Sequence, residues 1–189
     1  MLESAALLSA FAADIAFDYG LYRVYRLPRY PCAAAFSAAA SLILAIALHG
    51  LSLTVKGILF SQLIILAGYS DMETHQIPDA LNLLTLLVCC ISPNPLDSLA
   101  GFFTVSVPML VLGLIFHGGV GGGDIKMMAA CGAVLGPHGA IEGTVISCAA
   151  LLVSAAAHFI RTKTIRRKNA MAPYFAVGCF IAYLLEHMG

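Results

Sequence analysis

Charge is scarce in this sequence: 11% of its 189 residues are Asp, Glu, Lys or Arg and 60% are hydrophobic, where soluble domains carry roughly a quarter charged residues. So little charge excludes an ordinary soluble domain, because the apolar excess has to be buried in lipid. Net charge is also missing, with ten Lys+Arg against ten Asp+Glu, so nothing draws the chain electrostatically to nucleic acid or to an acidic partner. No CxxC pair occurs. The six cysteines, Cys32, Cys89, Cys90, Cys131, Cys148 and Cys179, fall inside or at the edges of apolar segments and read as small core residues, with no bound metal expected. The opening Met1-Leu2-Glu3-Ser4 has neither a basic start nor a small-residue cleavage site, so the first apolar stretch is expected to belong to the mature protein. Neither GxxxxGK[ST] nor a GxGxxG in strand context is present, which leaves a nucleotide site without support.

What the sequence has is a series of apolar runs. Four are long: Cys32 to His49, Leu51 to Ser70 with one interruption at Lys56, Leu99 to Phe116, and His138 to Ile160 with a lone Glu142. Four are shorter or broken: Ala5 to Tyr22, interrupted by Asp14 and Asp18, then Ala80 to Ser92, Ile125 to Leu135 and Ala170 to Leu185. A spanning helix needs about 20 apolar residues, so the expected fold is all-α, a polytopic membrane bundle of about seven to eight helices forming a single domain over residues 1–189.

Basic residues set its orientation. Arg23, Arg26 and Arg29 form one cluster and Arg161, Lys163, Arg166, Arg167 and Lys168 another, and short loops rich in Lys and Arg stay on the cytoplasmic side. If the six apolar runs between the clusters all cross, both clusters are cytoplasmic. The Ile125 run is the shortest relative to need, since about a dozen residues cover roughly 18 Å of a roughly 30 Å core. It is counted as a crossing, completed by an irregular, protein-buried segment at Gly136-Pro137-His138-Gly139. The same parity puts the loop after Ser70 and the loop after Phe116 on one face, so Asp71 and Asp124 are expected at the same membrane surface.

Acids at or near membrane helices are functional candidates, because a carboxylate in the bilayer centre costs about 2.5–3.5 kcal/mol on insertion scales. Asp14 and Asp18 have a structural alternative in pairing with Arg23 or Arg26, and Glu3, Asp97 and Glu186 sit at expected surfaces. Glu142 suits a helix start. Asp71 opens the segment Asp71-Met72-Glu73-Thr74-His75-Gln76-Ile77-Pro78-Asp79, where the bland alternative is a solvated helix end, and Pro78-Asp79 suits the first turn of a helix. Asp124 follows Gly118-Gly119-Val120-Gly121-Gly122-Gly123 and precedes an apolar helix carrying Lys126. The alternative there is a glycine hinge with an aspartate N-cap. Two carboxylates held together in a partly desolvated site share a proton, so that one acts as base toward a water while the other protonates a carbonyl oxygen. Such a pair requires no cofactor.

The spacing of Asp71 from Pro78-Asp79, the run Gly121-Gly122-Gly123-Asp124-Ile125-Lys126, and Ala172-Pro173-Tyr174-Phe175 near the carboxyl terminus together resemble the type IV prepilin leader peptidases, GxGD membrane aspartic proteases. The resemblance covers about residues 52–185. It implies that Asp71 and Asp124 are the catalytic pair and that Gly121, Gly123, Lys126, Pro78 and Asp79 shape the site. It also implies a prepilin-like membrane protein substrate, cut at the cytoplasmic face of the bacterial inner membrane, and a role in type IV pilus assembly or protein secretion. Longer members carry a cytoplasmic domain with paired cysteines, and here only Tyr19 to Pro31 occupies that place. The compact form looks like the short peptidases of tight-adherence pili. Nothing in the sequence supports the N-methyltransferase activity that some members add. Two other classes remain open: a small ion-coupled transporter in which Asp71, Asp124 and Lys126 line a path, and a non-catalytic assembly factor. Oligomeric state is not legible.

Overall fold

A computed structural model describes residues 30–48, 51–91, 94–116, 120–163 and 170–188. The amino-terminal run with Glu3, Asp14, Asp18 and the first arginine cluster lies outside them, as do Arg166, Arg167, Lys168, Gly118 and Gly119. The described residues form helices: α1 (Tyr30–Ala47), α2 (Leu51–Thr74), α3 (Asp79–Val88), α4 (Pro95–Ile115), α5 (Gly122–Thr162) and α6 (Ala172–Met188).

Apolar composition alone does not hold membrane helices together, since lipid is as apolar as the helix surface; close backbone approach and buried hydrogen bonds do. Both occur here. Gly101 of α4 and Gly132 of α5 are pressed together so closely that a Cβ on either would collide with the carbonyl oxygen of the other. Gly178 of α6 meets the backbone of Gly143 and the side chain of Ser147 on α5. A Cβ on Gly68 of α2 would lie 3.0 Å from the Cα of Pro173. Gln62 of α2 donates to Ser41 of α1 at 2.9 Å and accepts from Ser37. Tyr183 of α6 donates its hydroxyl to the Leu53 carbonyl of α2 at 2.7 Å, its ring stacked over Gly57 and tilted against Phe60.

α5 is not a straight rod. Gly136 has φ 73° and ψ 179°, with Pro137 next. Before this point, Met128 accepts from the Cys179 thiol of α6 at 4.0 Å. After it, Gly143 packs on the same Cys179, Gly139 lies against Glu186, and Ser154 shares a hydrogen bond of 2.6 Å with Tyr174. The second arm therefore runs antiparallel to α6, its neighbours falling from position 186 to 174. The first arm runs the other way, from the start of α6 toward Cys179. The chain reverses at Gly136, inside the segment expected to be irregular, but that segment is not protein-buried throughout: Gly136 and Pro137 are half-buried and His138 is exposed.

The remaining contacts sort the bundle into two ends. Asp71, Asp79, Asp124 and Ala172 mark one; Lys56, Asp97, Gly136 and Glu186 mark the other.

Six helical elements lie among the described residues, with α5 made of two helices that meet at the non-helical Gly136; the expected amino-terminal helix falls outside those residues. Three helices, Ser52–Thr74, Pro95–Ile115 and Gly122–Thr162, are long and apolar enough to cross a membrane. The 10 residues of α3 extend only about 15 Å.

Candidate active site

Asp71 sits in the last turn of α2, 8% exposed. Its Oδ2 accepts a hydrogen bond from the backbone N–H of Ala172 at 3.1 Å. Ala172 opens α6, where helical N–H groups have no partner inside their own helix and the positive end of the helix dipole favours a carboxylate. Pro173 beside it has no N–H to compete.

α2 ends just beyond. His75 takes φ 52°, a left-handed conformation that stops the helix, and its N–H returns to the Asp71 carbonyl at 2.9 Å. The loop is tied back at one oxygen: the hydroxyls of Ser70 and Thr74 donate to the Gln76 carbonyl at 2.9 and 3.2 Å. Pro78, extended at φ −60° and ψ 131°, is the N-cap of α3, and Asp79 is its first residue. Pro78 and Asp79 thus start a new helix directly beside the carboxylate that ends the previous one.

Asp124 reaches the same place from α5. The N-cap there is Gly121, with no side-chain cap, and Asp124 stands in the first helical turn. The aspartate-cap alternative is therefore not what is found. A Cβ on Gly121 would fall 2.9 Å from Asp124 Oδ2, and one on Gly123 would meet Ile77 at 3.5 Å. These glycines leave room for the carboxylate and for the loop after α2. Among the described residues nothing lies within 4 Å of a Cβ placed on Gly122. Asp124 Oδ1 is buried and has no hydrogen-bond partner among the described residues, and the charge of Asp71 reaches it.

Asp71 and Asp124 line one cavity of about 380 Å³ with the His75–Ile77 loop, Asp79, Gly121 to Gly123 and Lys126. Lys126, one turn below Gly122 on α5, donates to Asp79 Oδ1 at 2.8 Å, both side chains being more than half exposed. Every residue expected at the site from the sequence except Pro78 lines this cavity, and Pro78 supplies the turn that places Asp79. What the sequence reading did not supply is the Ala172 N–H. The signal was the Ala172-Pro173 dipeptide, noted there for resemblance without a contact. Among the described residues no group of three or more His, Cys, Asp or Glu could hold a metal ion. Cys131 and Cys179 are buried, as expected of core residues, while Cys90 and Cys148 are exposed. The cavity thus brings two carboxylates, each at least partly buried, to one space.

Residues 58–156 match the model of the type IV leader peptidase family, a stretch that contains both aspartates. The chain is 32% identical over 150 residues to a prepilin leader peptidase/N-methyltransferase of Bacillus subtilis (strain 168), an alignment covering 71% of this chain and 58% of that protein. The chain thus spans less than two thirds of the length of that relative. No solved structure matches it.

Proposed function

The chain belongs to the type IV leader peptidase family and is an integral membrane protein; on that premise we propose that it is an aspartic endopeptidase that removes the leader from prepilin-like membrane proteins. The observation that carries the proposal is the shared cavity: Asp71 and Asp124, from the end of one helix and the start of another, face the same 380 Å³ space.

Like charges so placed resist double ionisation, so the pair holds one proton between them over its working range. The ionised member takes a proton from a water, which attacks the scissile carbonyl. The protonated member gives its proton to the carbonyl oxygen, and the amine leaves as the tetrahedral intermediate collapses. Asp71 is fixed in direction by the Ala172 N–H. Asp124 has an acceptor atom with no partner among the described residues, which suits a water or a substrate N–H. Gly121 to Gly123 keep side chains out of the path of an extended substrate backbone.

Orientation follows from the basic residues. Arg161 and Lys163 end the second arm of α5, the arm that runs back toward the carboxylate end of the bundle, and a basic loop there belongs on the cytoplasmic side. The site would then open to the cytoplasm at the inner membrane of a bacterium, where a precursor presents its leader. Type IV pilus assembly or secretion, including tight-adherence pili, is the setting this predicts.

The test is co-expression with a prepilin bearing a detectable leader. Asp71→Asn and Asp124→Asn should each lower leader removal by roughly 10²–10⁴-fold while the chain still inserts. Asp79→Asn should retain measurable cleavage. Full processing by either of the first two variants would end the dyad reading, and ion flux in liposomes that depends on the same aspartates would favour a transporter.

A further inference from the structure

A second cavity adjoins the first. Helices α3 and α4 both pack on the first arm of α5 and scarcely touch one another, and the space between them is a groove of about 460 Å³. Leu83 and Leu86 of α3 form one wall, Phe103, Val107 and Leu110 of α4 the other, and Ala129 and Ala130 of α5 the floor. Asp79 and Lys126 line both this groove and the carboxylate cavity, so the ion pair between them marks the junction.

Three features distinguish the groove from a surface merely wetted by lipid. Its floor is made of small residues, which let a neighbouring helix backbone approach closely. Asn82, 9% exposed, lines it at the same height as the junction, and its Nδ2 is buried without a hydrogen-bond partner among the described residues. An acyl chain cannot satisfy a buried amide donor, whereas a peptide carbonyl can. The groove also runs directly into the cavity that holds Asp71 and Asp124. A peptide whose scissile bond lies between those carboxylates therefore has one exit that is polar and one that is apolar.

Resting on the peptidase reading above, we propose that this groove seats the apolar helical segment of the substrate that adjoins the scissile bond, with Asn82 donating to a carbonyl where that helix unwinds to enter the catalytic cavity. Specificity then divides at Asp79 and Lys126: polar leader residues stay in the carboxylate cavity, and apolar residues of the following helix take the channel between α3 and α4.

The probe is a precursor with a short polar leader followed by an apolar helix of about 20 residues, paired with a soluble peptide that ends a few residues past the cleavage point. A photoreactive benzoylphenylalanine replaces Leu110 in the full chain, in the Asp124→Asn background so that capture does not require cleavage, and a control probe replaces Leu152, which is 70% exposed on the second arm of α5. Expected is crosslinking of the precursor's apolar helix from position 110 and little from 152. In the otherwise native chain, Val107→Trp should lower kcat/KM for the precursor tenfold or more and leave cleavage of the soluble peptide unchanged. Crosslinks from position 110 to lipid alone or to a second copy of the chain would overturn the proposal, as would equal loss on both substrates. Loss of all cleavage by the native chain refutes the peptidase reading instead, and the crosslinking arm reads the groove independently of it.

Discussion

At the scale of single residues, the two aspartates differ in what holds them. Asp71 is tethered through one oxygen to the start of α6, and Asp124 leaves one oxygen without a partner among the described residues. A pair that shares a proton has a working range bounded on both sides. As pH rises, the first ionisation creates the base and activity climbs; as it rises further, the remaining proton is lost and activity falls. Leader removal by the purified chain should therefore give a bell-shaped profile of kcat/KM against pH, and a profile that rises to a plateau would mean that a single ionised group suffices. The ion pair of Lys126 and Asp79 belongs to the same scale. Because both partners are largely exposed, the pair contributes no more than about 1 kcal/mol to stability, yet it joins the glycine turn to the start of α3. Lys126→Ala should leave the thermal midpoint nearly unchanged while slowing cleavage severalfold, and the exchange Asp79→Lys with Lys126→Asp should recover part of that loss. No recovery would mean that each charge acts separately on the substrate. These residues were legible in the sequence because they lie close together in it: Asp71 with Pro78 and Asp79, and Asp124 with Gly121 and Lys126. The Ala172 N–H was not, since it is a backbone group brought in by a helix that begins 101 positions after Asp71.

Among the elements, α5 carries the most information. Hydrophobic runs report how much chain is apolar but not the geometry of the joint between consecutive stretches; the Ile125 and His138 runs, distinct in sequence, are two helices that meet at the non-helical Gly136. The break between them was nevertheless marked by Gly136-Pro137, and the reversal there is what lets Asp124 and Arg161 lie toward one end of the bundle. Gly136 has a backbone conformation essentially reserved for glycine, while the space beside it is open, the nearest atom to an added Cβ being Asp97 Cβ at 3.8 Å. Gly101 is the opposite case: its conformation is ordinary, but an added Cβ would run into the backbone of Gly132 and Gly136. Gly136→Ala should therefore cost about 1–3 kcal/mol from backbone strain alone. Gly101→Ala should force α4 away from α5, with a comparable or greater loss and an added loss of activity, because α4 also walls the groove. Unfolding in detergent, read by circular dichroism, gives the first quantity, and precursor cleavage separates the two variants. If Gly136→Ala proved neutral, the reversal at that residue would have to be less sharp than its dihedral angles imply.

For the whole molecule, the decisive property is that Asp71 and Asp124 are gathered at one end. Charge parity in the sequence required the loops after α2 and α4 to share a face, and the helix directions obey that requirement: α2 and α4 both end where α3, α5 and α6 begin. Lys56 and Glu186, within electrostatic reach of one another, sit at the far end with Asp97. If the basic residues at the close of α5 fix that arrangement in the membrane, the two ends should be accessible from opposite sides. In a chain whose six native cysteines are replaced, a cysteine introduced at His75 should react with a membrane-impermeant maleimide only in inside-out vesicles, and one at Asp97, exposed near the start of α4, only in intact right-side-out cells or spheroplasts. Labelling of both positions from one side would contradict the two-ended bundle. Labelling with the sides exchanged would leave the bundle intact but place the carboxylate pair away from the cytoplasm, and the proposed substrate, whose leader is presented on that side, could no longer reach it.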